Sequence, residues 1–355
     1  MDFEYAILDN YLDISVQKDI RADIDNFMNT GGGHCDISRY AESSVLLKET
    51  EVIKDERECG YLVRSNDVDE EIIVSLTGVL VEADLPPYKD MNSLYRTRPN
   101  KKDIPVNRVS LAFFGHDNYD AARVGLENVR STFSRFYASV DKIKVSAKVG
   151  MPIISCENRV VSKVDHVPVD VRDAKLPKAH DPNGIIRKNL LMSNKHRFVD
   201  DNAVTFSKLA KTTENDAIEI IDCSPEEFKI GMIVCVQATP TVVPTTKNGS
   251  KLILKLRSIL HVSDAVYKRF LFTCRVADID ALPKPGSGLK RKAPAALWIN
   301  SKKRSMTIGD VEVRERSDGG SRKDASSEAD KVAARFGRMT TKEGEVTSEG
   351  ESPAA

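Results

Sequence analysis

No stretch of this 355-residue sequence approaches 18 consecutive apolar residues, and its first residues carry acids (Asp2, Glu4) where a secretory leader would carry bases. Those absences exclude a transmembrane helix and a signal peptide of the usual form, and lead us to expect an intracellular protein without membrane contact. The six cysteines (Cys35, Cys59, Cys156, Cys223, Cys235, Cys274) are scattered with no C-x-x-C pair. Neither a disulfide framework nor a zinc ribbon is indicated, and buried thiols are expected. Aromatic residues make up only 6%, with Trp298 the single tryptophan. The phosphate-loop, nucleophile-elbow, zinc-protease and dinucleotide-binding motifs are all missing. His116, His166 and His196 stand alone in polar stretches, without the spacing of metal ligands. No metal site and no cofactor are therefore expected.

There is no net charge either, 53 bases balancing 53 acids, but the balance is local nowhere. Residues 1–84 hold 20 acids and 7 bases; residues 85–280 hold 31 bases and 22 acids; residues 281–304 hold seven bases and no acid. A basic middle and a basic arm point to a polyanionic partner, and the acidic leader either shields that surface, mimics nucleic acid or keeps the chain soluble. With 41% apolar residues there is enough to bury a core. The charge map and the punctuation of the chain divide it into an acidic helix-plus-strand region (1–84), a basic α/β region with long loops (85–216), a β unit (217–280) and a disordered basic-then-acidic tail (281–355).

Local pattern predicts the elements. Val16, Ile20, Ile24, Phe27 and Met28 recur at helical spacing over about Leu12 to Met28, and Gly31-Gly32-Gly33 ends that helix. Runs at 44–47, 60–63 and 72–81 read as strands, the last apolar enough to be buried on both faces. A second amphipathic helix is expected over Tyr119 to Ser139, capped by Asp117 or Asn118. Residues 165–200 read as a long polar connection with a basic bias. Strands are expected over 218–221, 232–238, 251–262 and 268–276, with Lys247-Asn248-Gly249-Ser250 turning a hairpin.

Two strands carry the chemistry. In Lys251–Arg257, alternation sets Leu252, Leu254 and Leu256 against Lys251, Lys255 and Arg257; Lys142–Lys148 repeats the device with Lys142, Lys144 and Lys148. One face packs and the other is cationic. Tyr95, Tyr267, Phe270 and Phe272 lie near basic positions as candidates for base stacking. The segment Phe228–Gln237, with Gly231 ahead of its apolar run, and the following Gly249–Ile259, rich in Leu and bases, resemble consecutive strands of OB-fold single-stranded-DNA-binding proteins. That local resemblance implies a small barrel holding a single strand on a strand face and its loops, with Lys251, Lys255 and Arg257 at the matching basic positions. No aromatic residue stands on the second of these strands.

Beyond position 281, Lys290-Arg291-Lys292 and Lys302-Lys303-Arg304 have the form of a bipartite nuclear-localisation signal, which would engage an import receptor. Gly31-Gly32-Gly33-His34-Cys35-Asp36 gathers a thiol, an imidazole and a carboxylate. Adjacent residues rarely form a catalytic pair, and the glycines follow a helix instead of opening one. The sequence thus leads us to expect an α+β protein: a β-rich body with an OB-like barrel unit, two principal amphipathic helices and a disordered tail. Its expected role is nuclear, non-catalytic binding of nucleic acid, single-stranded DNA above all, by phosphate neutralisation. The alternatives are a self-assembling coat- or movement-type protein with a packaging tail, and an enzyme with its site near Gly31–Asp36 or Asp165–Asp170.

Overall fold

The acidic leader folds as two helices, α1 (Phe3–Asn10) and α2 (Ile14–Phe27), in a computed structural model that describes residues 3–94, 105–143, 146–211, 218–245 and 249–280. The Asp13 carboxylate caps α2 by accepting the Ser15 backbone N–H at 2.8 Å, and Ile20, Ile24 and Phe27 form its buried stripe. A π turn at Met28–Gly32 closes the helix, with Gly31 at φ +105°, where only glycine is unstrained. Ser43–Glu49 is a third helix, α3, in place of the strand that the short apolar run at 44–47 suggested. Three apolar residues in a row have no period to read, and the pattern is satisfied by burying Leu46 alone.

The sheet follows: β1 (Thr50–Lys54), β2 (Gly60–Arg64), β3 (Asp67–Glu71) and β4 (Val74–Asp84). The first eight residues of β4 are all buried, as its uniform apolarity required. After a short α4 (Met91–Leu94) come β5 (Val106–Ala112) and α5 (Asn118–Phe133). Asp117 holds the cap position of α5 without a side-chain hydrogen bond; the Asn118 N–H instead donates to His116 Nδ1 at 3.0 Å. The other ring nitrogen of His116 faces Asp25 of α2 at 3.1 Å. Gly125 lets α5 approach the turn Ile37–Ala41, since a Cβ there would lie 2.3 Å from the Ile37 carbonyl oxygen. The chain continues through β6 (Val140–Asp141), β7 (Ser146–Lys148), β8 (Met151–Arg159), β9 (Ser162–Lys163), α6 (Ile185–Asn189), β10 (His196–Arg197), β11 (Thr205–Lys211), β12 (Ile218–Asp222), β13 (Ile233–Pro244), β14 (Ser250–Ser263) and α7 (Ala265–Asp280).

Twelve of these strands form one sheet, whose central path runs β13–β4–β5–β8–β14 and returns through a direct β13–β14 pairing. β8 and β14 run parallel where Glu157 faces Lys255; the other four pairings in this ring are antiparallel. β13 is bulged at Gln237/Ala238, at the point where it leaves β4 and goes on to pair with β2. Alternate residues of the ring strands meet in the larger core: Leu76 and Leu80, Val109 and Leu111, Ile154 and Cys156, Val234 and Val236, Leu252, Leu254 and Leu256. A second core joins Ile7, Ile20 and Ile24 of the leader helices, Tyr11 of the turn between them and its neighbour Phe114 to Val79, Val81 and Ile233.

β13 and β14 pair with each other as expected, but their remaining partners (β2, β4, β6, β8 and β11) all precede residue 217. Residues 268–276, expected as a strand, belong to α7: Val266, Tyr267, Phe270, Leu271 and Cys274 turn inward at three- and four-residue steps. The 165–200 connection carries a small core of its own, in which Leu176, Ile186, Leu190 and Phe198 pack with Tyr88 and Val161. All six cysteines are free, yet only Cys156 and Cys235 are buried and Cys35 is exposed, so the expectation of buried thiols holds for two. Among the described residues no helix is long and apolar enough to cross a membrane.

Candidate nucleic-acid interface

On β14 the predicted alternation is realised: Leu252, Leu254 and Leu256 are buried while Lys251, Lys255 and Arg257 take the other face. What alternation does not reveal is the company these cations keep. Lys255 Nζ is ion-paired with Asp201. Arg257 reaches Asp201 Oδ1 at 2.9 Å and Glu71 Oε2 at 2.6 Å, and its Nε donates to Thr239 Oγ1 at 3.0 Å. Lys251 stands 3.9 Å from Glu157. The side chains of Lys255 and Arg257 retain only 13% and 19% exposure. Burial pushes the Lys255 amine below its ordinary range despite Asp201 beside it. Burial alone would raise the Asp201 carboxyl, but the Lys255 and Arg257 charges outweigh it and hold Asp201 low.

Asp201 is firmly placed. The Asn202 amide donates to Ser162 Oγ at 3.0 Å and to the Arg159 carbonyl at 3.2 Å, and the Asn158 amide donates to the Asp201 carbonyl at 2.9 Å and to that of Leu256 at 3.1 Å. This polar lacing ties the 200–202 turn to the seam between β8 and β14.

Above the row opens a cleft of about 1200 Å³, lined by Lys251, Ile253 and Lys255 of β14, Thr241 and Val243 of β13, Glu157 and Arg159 of β8, Arg57 and Cys59 of the turn between β1 and β2, and Tyr61 of β2. His166 and Asp165 complete its mouth. Burial raises the pKa of the Tyr61 phenol and the Cys59 thiol, with Asp55 adding to both, so neither ionises near neutrality. The pKa of His166 is lowered by partial burial and by Arg159 and Arg57, which favours the neutral imidazole.

The six predicted contacts thus fall in different places. Lys251 and Lys255 line the cleft, while Arg257 lies beside it under Asp201. Lys148 is on β7, 3.7 Å from Glu82, and exposed Lys142 follows β6; neither lines the cleft. Lys144 lies outside the described residues, as do Tyr95 and the clusters Lys290–Lys292 and Lys302–Arg304. Tyr267 and Phe270 pack against the second core, and Phe272 is exposed on α7. Conversely, Arg57, Tyr61, Arg159 and His166 carry no local sequence signal; they converge only through the fold. At Gly31–Asp36, His34 and Cys35 are exposed while Asp36 is buried and accepts from the Ser38 N–H at 2.8 Å and the Asn118 amide at 3.3 Å. Burial raises that carboxyl. It caps a turn, and no hydrogen bond links it to His34 or Cys35. Among the described residues no group of three His, Cys, Asp or Glu is disposed to hold a metal.

No protein-family model matches the chain, and no curated protein matches it. Among solved structures it has a weak similarity to a single-stranded DNA binding protein encoded by bacteriophage T7, at 10% identity and a TM-score of 0.28, over 61% of this chain and 98% of that one.

Proposed function

We propose that the chain is a non-catalytic nucleic-acid-binding protein that takes a single strand, DNA by preference, into the cleft beside β14. The observation that carries this is the cleft itself: an open trough where Arg57, Arg159, Lys251 and Lys255 share the walls with the half-buried ring of Tyr61. Cations along a groove neutralise phosphates, and an aromatic face accepts a base of any kind. We read the ring β4–β5–β8–β14–β13 as an OB-like barrel, an architecture whose strand face and adjoining loops suit such a ligand.

The test is binding of labelled single-stranded DNA, duplex DNA and RNA to the full chain across a range of salt. Three or four phosphate contacts would give a slope of log affinity against log salt of about −2 to −3 for a single strand. Preference for the single strand, weakened in Lys251→Ala and Tyr61→Ala, is the expected result. No binding at low salt, or equal binding of duplex, would overturn it. The basic clusters 290–292 and 302–304 we assign to nuclear import, which neutralising both clusters in a fluorescently tagged chain would abolish.

A second reading, self-assembly, draws on the sheet edge: among the described residues β12 pairs with β11 alone, and Ile218 and Ile220 are 56% and 67% exposed. A mass that rises with protein concentration in the absence of nucleic acid would favour it.

A further inference from the structure

Arg57 and Arg159 arrive from distant parts of the chain, one in the turn between β1 and β2 and the other at the end of β8, and meet on a single residue. An Arg57 Nη1 proton goes to the His166 carbonyl oxygen, and Arg159 Nη1 lies 3.3 Å from His166 Nδ1. Among the described residues, the one carboxylate at ion-pair distance from either guanidinium is Asp55, 3.4 Å from Arg57 Nη2; Arg159 has none. Asp165 lines the same mouth but pairs with neither. Every other cation in the cleft is matched: Lys251 by Glu157, Lys255 by Asp201.

Two guanidinium groups drawn to one residue with a single carboxylate beside them repel, and the N–H groups they do not spend on His166 and Asp55 are open to a further acceptor. An anion with several oxygens would relieve both conditions. With Nδ1 facing Arg159, the neutral imidazole of His166 carries its proton on Nε2 and adds a donor without adding charge. Planar forks fit phosphate oxygens two at a time, and the dianion of a phosphate monoester answers two positive charges better than a phosphodiester does. The cleft exceeds the roughly 300–1,000 Å³ usual for a small-molecule pocket, so a phosphate at its mouth can carry a longer molecule behind it.

We propose that Arg57, Arg159 and His166 form a phosphate-binding site that takes a phosphate monoester, and that in the bound state it holds the terminal phosphate of a nucleic-acid strand lying in the cleft. The second half of this proposal rests on the nucleic-acid function above; the first half does not.

The experiment compares one oligonucleotide with a 5′-phosphate, a 3′-phosphate or hydroxyl ends, on the full chain, alongside phosphorus NMR of inorganic phosphate and a mononucleotide. One additional charge-assisted contact pair gives an expected preference of about tenfold for one phosphorylated end over hydroxyl ends. In Arg159→Gln and Arg57→Gln that ratio falls to about one. Arg159→Lys, which keeps the charge and loses the fork, is expected to lose most of the ratio too, and it serves if either glutamine variant melts early. A ratio near one in the unaltered chain, with no perturbation of the phosphorus signals, overturns the site and leaves strand binding standing. Phosphorus signals that broaden in an Arg159-dependent way while no oligonucleotide binds would establish the site for free phosphate or nucleotides and overturn the strand. A ratio that survives in all three variants overturns the assignment of these residues.

Discussion

Four cations line one cleft under two regimes. Along β14, Lys255 and the neighbouring Arg257 are held against Asp201 and Glu71, largely out of water; at the mouth, Arg159 reaches an imidazole and no carboxylate. The first arrangement is self-contained. Its charges were desolvated together, and withdrawing one leaves the others uncompensated in a place where water helps little. The second is incomplete by itself and is closed by an anion from outside. A row of lysines and arginines on a strand face is therefore not yet a binding surface. What decides is which carboxylates the fold brings to meet them, and Asp201 and Glu71 come from segments far from β14 in sequence.

The sharpest way to break this comparison is to remove one member of each group. Arg257→Ala, which strands Asp201, Glu71 and Thr239 together, is expected to lose about 2 kcal/mol of stability in urea unfolding, less than the roughly 3–5 kcal/mol of a fully buried pair because both carboxylates remain partly wet. Arg159→Ala should lose under about 0.5 kcal/mol. Equal losses would mean that floor and mouth are not different in kind.

Asp201→Asn tests the floor from the other side. A loss of about 1 kcal/mol at pH 7 is expected, and with it a gain in single-strand affinity at low salt, because Lys255 loses its counter-ion and becomes available to phosphates while Arg257 keeps Glu71. The salt slope should steepen by about 1. Asp201 is held below the ordinary carboxylate range, so its contribution to stability is fully present above about pH 4 and is lost as acid protonates it in the folded state. Unfolding curves of the two proteins should therefore converge as pH falls from 4 toward 2; a gap that stays constant would remove the carboxylate charge from the account. The smallest effect is expected at Lys251, 43% exposed and 3.9 Å from its partner: Lys251→Ala should change stability by less than about 0.5 kcal/mol while still weakening strand binding.

Sequence periodicity reached the elements whose environment is uniform along their length. β4 and β14 were legible because one rule, all buried over eight residues or strictly alternating over seven, governs each, and α2 because Val16, Ile20, Ile24 and Phe27 keep one face for about three turns. α3 was too short to show a period. α7 was misread as a strand because Tyr267, Phe270, Phe272 and Val276 are residues favoured in strands, and only their packing against the leader helices selects the helical phase. Of the site, the cations of β14 could be picked out and their counter-ions could not. Asn158 and Asn202, which place Asp201, are unremarkable polar residues until the 200–202 turn is laid against β8.

The two-sided burial of β4 also governs how the molecule comes apart. Val79 and Val81 belong to the core made with α1 and α2, Leu76 and Leu80 to the core inside the strand ring, so one strand is the common wall of both. Neither core can open without stripping that wall. The backbone amides of β4 are thus placed to exchange with solvent deuterium only when the whole body unfolds, and the leader helices, for all their negative charge, share the sheet's folding transition instead of forming a detachable arm.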